Sequence, residues 1–362
     1  MNSFRKILSI LAIFVLLSGS VVLANEPVPV EKPKEKLDVK ELILEHLADS
    51  YTWHITKIGD TDIAIPLPVI IYSQTSGWHV FMSSVFHEGA EHEGLIIASE
   101  GKYKGKIVEK DAIGNEVKPF DISITKVVLS LLFNSSLLIF IILMVARSYK
   151  KDTYESKKGF VGFMEMFIMN INDDVIKPCI GKDYRKFSPY LLTVFFFIFL
   201  NNLMGIIPIF PGGANVTGNI AITFTLAICT FLIVNIFGTK EYWKEIFWPD
   251  VPVWLKVPLP LMPAIELVGV FTKPFALMIR LFANMLAGHS IILGLTCLVF
   301  VTVSLGPAMN ASMTVVSVLF TVFINLVEVL VAYIQAYVFV LLSAVFIGLA
   351  RVEPHHAKEV IK

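Results

Sequence analysis

The sequence predicts an all-α polytopic membrane protein with about five membrane helices, the last two long and tilted, and a small outer N-terminal region that is α+β or partly disordered. Three observations predict it. The 362 residues are 55% hydrophobic and 17% charged, with a mean hydropathy of +0.71, too apolar for a soluble domain of this size. Five apolar runs, at about 125–147, 188–209, 219–239, 260–300 and 308–350, reach the roughly 20 residues that cross a hydrocarbon layer. The charge is also segregated: residues 25–124 hold seventeen Asp and Glu against ten Lys, whereas the loops between apolar runs are basic.

Taken in chain order, Arg5 and Lys6 precede an apolar run from Ile7 to Leu17, followed by small residues and Val22-Leu23-Ala24. This is the three-part pattern of a signal peptide, residues 1–24, with cleavage expected after Ala24; the alternative is an uncleaved first membrane helix. Residues 25–38 are rich in Pro, Glu and Lys and read as a flexible lead. They open an outer region, residues 25–123, with a short helix expected over Glu41 to Leu47. Alternating stretches at Thr61 to Ile71 and Gly94 to Ala98, and a strand over Lys104 to Glu109, follow.

The outer region also carries His46, His54, His79, His87 and His92. His87-Glu88 and Glu91-His92 have the residue types of a metal cluster, but the H-E-x-x-H spacing would need a second His at position 91, where Glu stands. An acidic surface loop is the alternative and no metal is expected. Cys179, Cys229 and Cys297 have no pairing spacing, and the last two lie in apolar runs where a thiol packs as a small hydrophobe. No concentrated basic domain exists to bind nucleic acid, and no cofactor is implied.

The membrane domain is expected over 124–350 with a tail at 351–362. No turn-rich interruption divides 260–300 or 308–350, so each reads as one long oblique helix rather than a hairpin. Between the first two runs, residues 147–187 carry nine Lys and Arg, while residues 210–218 carry no charge. The positive-inside rule puts the former in the cytoplasm, and five crossings then join an outer N-terminal region to a cytoplasmic C-terminus. Phe160 to Ile176 and Tyr242 to Val257 are expected as loops lying in the interface or on a partner, with Trp243, Trp248 and Trp254 as interfacial anchors.

Residues 260–293 concentrate what a bilayer penalises. Each ionisable group at a membrane centre costs about 2.5–3.5 kcal/mol, yet this one segment carries Glu266, Lys273 and Arg280. Steps of seven and four at 100° per residue align Glu266, Lys273, Arg280 and Asn284 as one stripe, whereas His289, nine residues past Arg280, falls on the opposite side. The last run repeats the pattern: Glu328 and Gln335 share a face, and Glu328 is available to pair with His289 as a proton relay. The Arg280 guanidinium stays charged and cannot relay; a fixed charge there repels cations, blocks leakage between two wet paths and attracts a partner's carboxylate. The structural alternative is an ion pair of Arg280 with Glu266 or Glu328. Thr217 or Asn219 is placed to cap the third membrane helix, and Asn219 to admit water at the outer side.

The run Pro274 to His289 (PFALMIRLFANMLAGH), with Ile334 to Phe339 (IQAYVF) and Asn202 to Pro208 (NLMGIIP), resembles subunit a of the F-type ATP synthase over about residues 124–350. The resemblance implies a non-catalytic stator that gives protons two half-channels to and from the carboxylates of a rotating c-subunit ring. Peripheral-stalk b subunits, the F1 catalytic sector and membrane lipids are its other implied partners. It matches Arg280 to the family's essential arginine, supported by Asn284 and Gln335. His289 and Glu328 match its outer half-channel pair, in the order found in the mitochondrial type, with Asn219 nearby; Glu266 and Lys273 match the inner half-channel. A bacterial inner membrane is the implied location. The outer region is longer than in many relatives. A self-contained secondary transporter would instead show inverted repeats and interrupted helices, and no convincing repeat is present.

Overall fold

The computed structural model describes residues 40–351 apart from 41–42, 44–46, 59–60, 74–75, 99–100, 111–115, 152–156, 208–211 and 249–260. The expected signal peptide and Pro-rich lead, most of the helix over Glu41 to Leu47, Trp254 and the tail beyond Arg351 lie outside the described residues, as do the side chains of His46, His54 and His87. Lys40, Ile43 and Leu47 are helical.

The N-terminal head is built from short antiparallel strands. β1 (Thr52–Ile58) pairs with β2 (Thr61–Pro66); β3 (Pro68–Ser73) lies between β4 (Gly77–Met82) and β8 (Phe120–Asp121); β6 (Ile107–Lys110) lies between β5 (Leu95–Ile97) and β7 (Glu116–Val117). A 3-10 turn, Ser83–Gly89, follows β4. Alternation in β3 buries Val69 and Ile71 against Tyr51, Phe86, Leu95 and Ile107, which form the head's core. The strand expected from Lys104 starts only at Ile107: Gly105, at φ +76°, and the Lys106 amide donating to the Tyr103 carbonyl spend those residues on a turn.

The head is fastened to the first membrane helix through that helix's free amides. The Lys126 amide donates to the Ser50 carbonyl at 2.9 Å and the Val127 amide to Asp49 Oδ1 at 3.2 Å, so residues preceding β1 cap a helix that starts some seventy-five positions later.

From there the described chain is helical: α1 (Lys126–Lys151), α2 (Phe160–Asn170), α3 (Lys177–Ile180), α4 (Tyr184–Ile206), α5 (Ile220–Ile236), α6 (Lys240–Phe247), α7 (Leu261–Thr302) and α8 (Pro307–Ala350). Among the described residues four helical runs are long and apolar enough to cross a membrane, and α5 with α6, bent at 101°, makes a fifth when the pair is taken as one span. α7 and α8 hold 42 and 44 residues without a break. At 1.5 Å per residue they are about 63–66 Å long, twice a hydrocarbon core of about 30 Å, so only steep tilting keeps them within it. Gly306 at φ +105° and Pro307 at the first turn of α8 make the corner between them.

Both expected loop stretches change, since Tyr242 to Phe247 belongs to α6. Phe160 to Ile176 is helical rather than a loop: α2 runs into a π turn, Ile171–Ile176, whose Ile171, Val175 and Ile176 are fully buried in the chain's own core. Its buried apolar residues recur at helical spacing and meet α4 and α8, while Phe160, Phe163, Met166 and Met169 stay exposed. Tyr333 of α8 sits 5.7 Å from the ring of Phe167 and 6.0 Å from those of Phe195 and Phe199. Trp243 and Trp248 are exposed, as interfacial anchors require.

α8 is the central element, packed on α4 along one side and α7 along another, with α5 against α7 and α1 against α4. Its end is fixed three ways. The Thr239 amide donates to the Ala350 carbonyl at 2.9 Å, Arg351 pairs with Asp183, and Gly348 lies where a Cβ would come within 2.0 Å of the Cys179 carbonyl oxygen.

Candidate functional site

α7 and α8 carry the polar residues singled out above, and their packing sorts these residues onto different surfaces. His289 of α7 and Glu328 of α8 face each other inside the helix packing, His289 Nε2 lying 3.9 Å from Glu328 Oε1. Glu328 is 5% exposed and neither carboxylate oxygen accepts a hydrogen bond from the described residues. A buried acid left in that condition is costly unless it is neutral or wetted, the condition of a group that exchanges protons.

One glycine makes the space and a second borders it. A Cβ at Gly288 would stand 2.6 Å from Glu328 Oε1, and one at Gly205, in α4, would stand 3.4 Å from His289 Nε2. The backbone of α7 at Gly288 therefore approaches the carboxyl more closely than any other residue permits, whereas at Gly205 a Cβ would only just touch the imidazole. Gly288 was missed in the sequence; its signal was a single small residue beside the imidazole, facing the helix that brings the acid.

Four residues before Gly288, the Asn284 Nδ2 donates to Gln335 Oε1 at 2.7 Å, joining α7 to α8 across 51 positions. Gln335 is 3% exposed, seven residues and two turns from Glu328 on the same buried face. Asn284 reaches it from the rim of an exposed face that also carries Arg280. Arg280 forms no ion pair with Glu266 or Glu328 among the described residues, so the purely structural pairing is not what the fold adopts. Nine helical positions, half a turn in phase, separate this exposed guanidinium from the partly buried His289.

Further along α7, Lys273 and Glu266 are half-buried. Lys273 Nζ lies 5.7 Å from the Phe346 ring and lines a small cleft with Asn235, Tyr242 and Phe346; Glu266 stands close enough to Tyr242 for its charge to act on the phenol. These two residues do not join the His289–Glu328 pair. Asn219 caps α5, its Oδ1 accepting from the Ala221 amide at 3.0 Å.

A cluster of buried amides lies between α1, α4 and the turn before α5. Asn134 donates to Asn201 Oδ1 at 3.0 Å and Thr217 Oγ1 to Asn202 Oδ1 at 2.6 Å, leaving Asn202 Nδ2 and Asn134 Oδ1 buried without a partner among the described residues. Asn134 was not singled out from the sequence; an Asn inside an apolar 20-residue run was the available signal. In the head, the described residues hold no group of three metal-ligating side chains; His79 bonds Glu93 and Ser76 instead.

The model of the family described as ATP synthase A chain matches residues 128–348. The chain belongs to that family. Among its relatives, the ATP synthase subunit a of Chloroherpeton thalassium is 42% identical over 253 residues, covering 67% of this chain and 71% of that protein. ATP synthase subunit a 2 of Chlorobaculum tepidum is 45% identical over 245 residues, 65% of each chain, and the ATP synthase subunit a of Myxococcus xanthus is 40% identical over 243 residues, 65% of this chain and 75% of the relative. As an ATP synthase A chain, the protein is a multi-pass membrane component of that complex and takes part in its ion transport. A second family, described as Domain of unknown function (DUF8433), matches residues 42–125, the stretch that ends where α1 begins.

Proposed function

We propose that this chain is the stator channel subunit of its ATP synthase, itself non-catalytic, which conducts protons through two half-channels to and from the carboxylates of a rotating c-subunit ring. The observation that carries the reading is that α7 turns His289 toward the buried Glu328 of α8 on one face and carries the exposed Arg280 guanidinium on the opposite one. An exposed charge in a membrane helix costs about 2.5–3.5 kcal/mol unless protein or water receives it. The face bearing Arg280 therefore calls for a partner surface with acidic groups.

In this mechanism a proton entering from the outer side reaches Glu328 and His289, is passed to a ring carboxylate, and rides the ring almost a full turn. It leaves through the inner half-channel beside Lys273 and Glu266. The cleft lined by Lys273, Tyr242 and Asn235 supports that placement. Arg280 keeps the two routes apart, and its charge favours the ionised state of each arriving carboxylate, so the proton is released before the carboxylate passes. Asn284 and Gln335 fix the backbone faces around Arg280 by their bond across the two helices. Asn219 acts first as a helix cap and sits at the outer end of α5. The membrane potential supplies about 2.3 kcal/mol per charge per 100 mV, which several protons sum to drive rotation.

The chain lies in a bacterial inner membrane with its head outside, its C-terminus in the cytoplasm and residues 1–24 acting as a signal; peripheral-stalk b subunits and the F1 sector complete the partners. The basic stretch at 147–187 supports that orientation. The test is ATP-driven acidification of vesicles holding the assembled complex, wild type against Arg280→Ala, after both chains are shown to co-purify with the ring and the soluble head. Pumping by the wild type alone is expected; normal pumping by the variant overturns the proposal.

A further inference from the structure

The β4–β3–β8 sheet of the head carries apolar residues on both faces. One face is the head's core side, with Val69, Ile71 and His79 buried. The other presents Tyr72, Trp78, Val80, Met82, Phe120 and Ile122, all exposed, with Val80 at 71%, Phe120 at 64% and Trp78 at 61%. The register makes them one patch. Tyr72 lies opposite Trp78 on one neighbour and Phe120 on the other, Ile70 lies opposite Val80, and the Ile122 amide donates to the Ile70 carbonyl.

β3 and β4 contain no Asp, Glu, Lys or Arg, and Asp121 of β8 pairs with the buried Ile71 on the opposite face, so no charge of these strands interrupts the patch. An antiparallel sheet with one face in water alternates apolar and polar residues, and scattered single exposures do not produce six neighbours on one face.

We propose that this face rests on the lipid surface of the leaflet at which α1 begins, making the head a foot on the membrane beside its first span. Its distance from the bilayer argues for lipid. Ile122 and Lys126 are four residues apart, so the near edge of the patch lies within about 14 Å of the start of α1. α1 has 26 residues, about 39 Å, which exceeds a hydrocarbon core of about 30 Å and puts its first turn among the headgroups.

The attachment is also rigid. The backbone amides of Ile122 and Ile124 bond to Ile70 and Pro68 of β3, and those of Lys126 and Val127 bond to Ser50 and Asp49 just before β1, so both the sheet and the start of the head are tied to the segment that enters the helix. Apolar surface continues beyond the junction in the exposed Val128, Leu132 and Phe133 of α1. The chemistry fits as well, since Trp and Tyr with aliphatic neighbours are the residues that settle at a membrane–water boundary.

The test uses the assembled complex in phosphatidylcholine bilayers. With Cys179, Cys229 and Cys297 replaced by Ala, a nitroxide is attached at Val80→Cys, at Phe120→Cys, or at Lys102→Cys as an exposed head control. Collision with oxygen, which concentrates in lipid, is compared with collision with a water-soluble nickel chelate. The ratio of oxygen to nickel collision at Val80 and Phe120 is expected several-fold above that at Lys102. A ratio equal to that of Lys102 means a water-facing patch and overturns the proposal. Low collision with both reagents means that protein covers it, whether a partner or residues 1–38 of this chain, and overturns it equally. Without any label, brominated phosphatidylcholine is expected to quench the fluorescence difference between the native complex and Trp78→Phe; no quenching counts against the proposal.

Discussion

Replacing Gly288 by Ala adds one methyl group and tests whether the geometry around Glu328 matters. The new Cβ would stand 2.6 Å from Glu328 Oε1 and 3.2 Å from its Cδ, against the 3.4 Å of ordinary contact. The carboxylate must therefore retreat by about 0.8 Å, a movement that its side-chain torsions can make at small cost in stability. Its contact with His289, already 3.9 Å, has no slack to lose. A misplacement of about 1 Å in a reacting pair costs up to roughly 10²-fold in rate, so proton flux is expected to fall by about ten- to a hundredfold while assembly is unchanged. The assay is the initial rate of ATP-driven acidification in vesicles, with the amount of chain bound to the ring measured alongside. Pumping at the wild-type rate by assembled Gly288→Ala would refute the reasoning.

Gln335→Leu removes the acceptor of the bond from Asn284, which is worth about 1 kcal/mol; pumping is expected to drop several-fold with the complex intact, as measured by the same acidification assay with co-purification. Gly348→Leu forces a side chain against the Cys179 backbone carbonyl, where the neighbour cannot give, and overpacking costs about 1–3 kcal/mol or more; a lower melting temperature of the purified membrane sector is the expected outcome. In the head, burial first and then the hydrogen bond to Asp121 push the Tyr51 phenol well above its ordinary range. A pKa raised by folding makes a contribution that is complete below about pH 10 and is lost as pH rises through the folded value. Tyrosinate absorbance of native protein minus Tyr51→Phe is accordingly expected to stay flat through pH 10 and to rise only at higher pH or on unfolding; ordinary titration near 10 would contradict it.

The long apolar runs were legible because a bilayer leaves few choices: the ends of α7 and α8 fall within two residues of the expected runs, 260–300 and 308–350. The contact of His289 with Glu328 followed from helical phase plus the scarcity of charge in membranes, both readable in one sequence. Gly288 and Gly205 were not, because a glycine's importance depends on what approaches it from another helix. The same holds for α2 and its π turn, whose mixed residues read as an interfacial loop until α4 and α8 supply the surface that buries Ile171 and Val175. In the head, β1 and β4 escaped notice because Trp53, His54, Trp78 and His79 interrupt a simple alternation. The exposed face of β3, β4 and β8 arises only from register.

The central claim is that Arg280 is the barrier between two wet paths, and passive proton flux through the membrane sector stripped of its soluble head tests it most directly. The ring is cross-linked to the stator so that it cannot turn, and flux down an imposed pH gradient is compared for wild type and Arg280→Ala. The account predicts that locking the ring stops flux in the wild type and leaves a leak in the variant. An Arg280→Ala sector that is as tight as the locked wild type would contradict it.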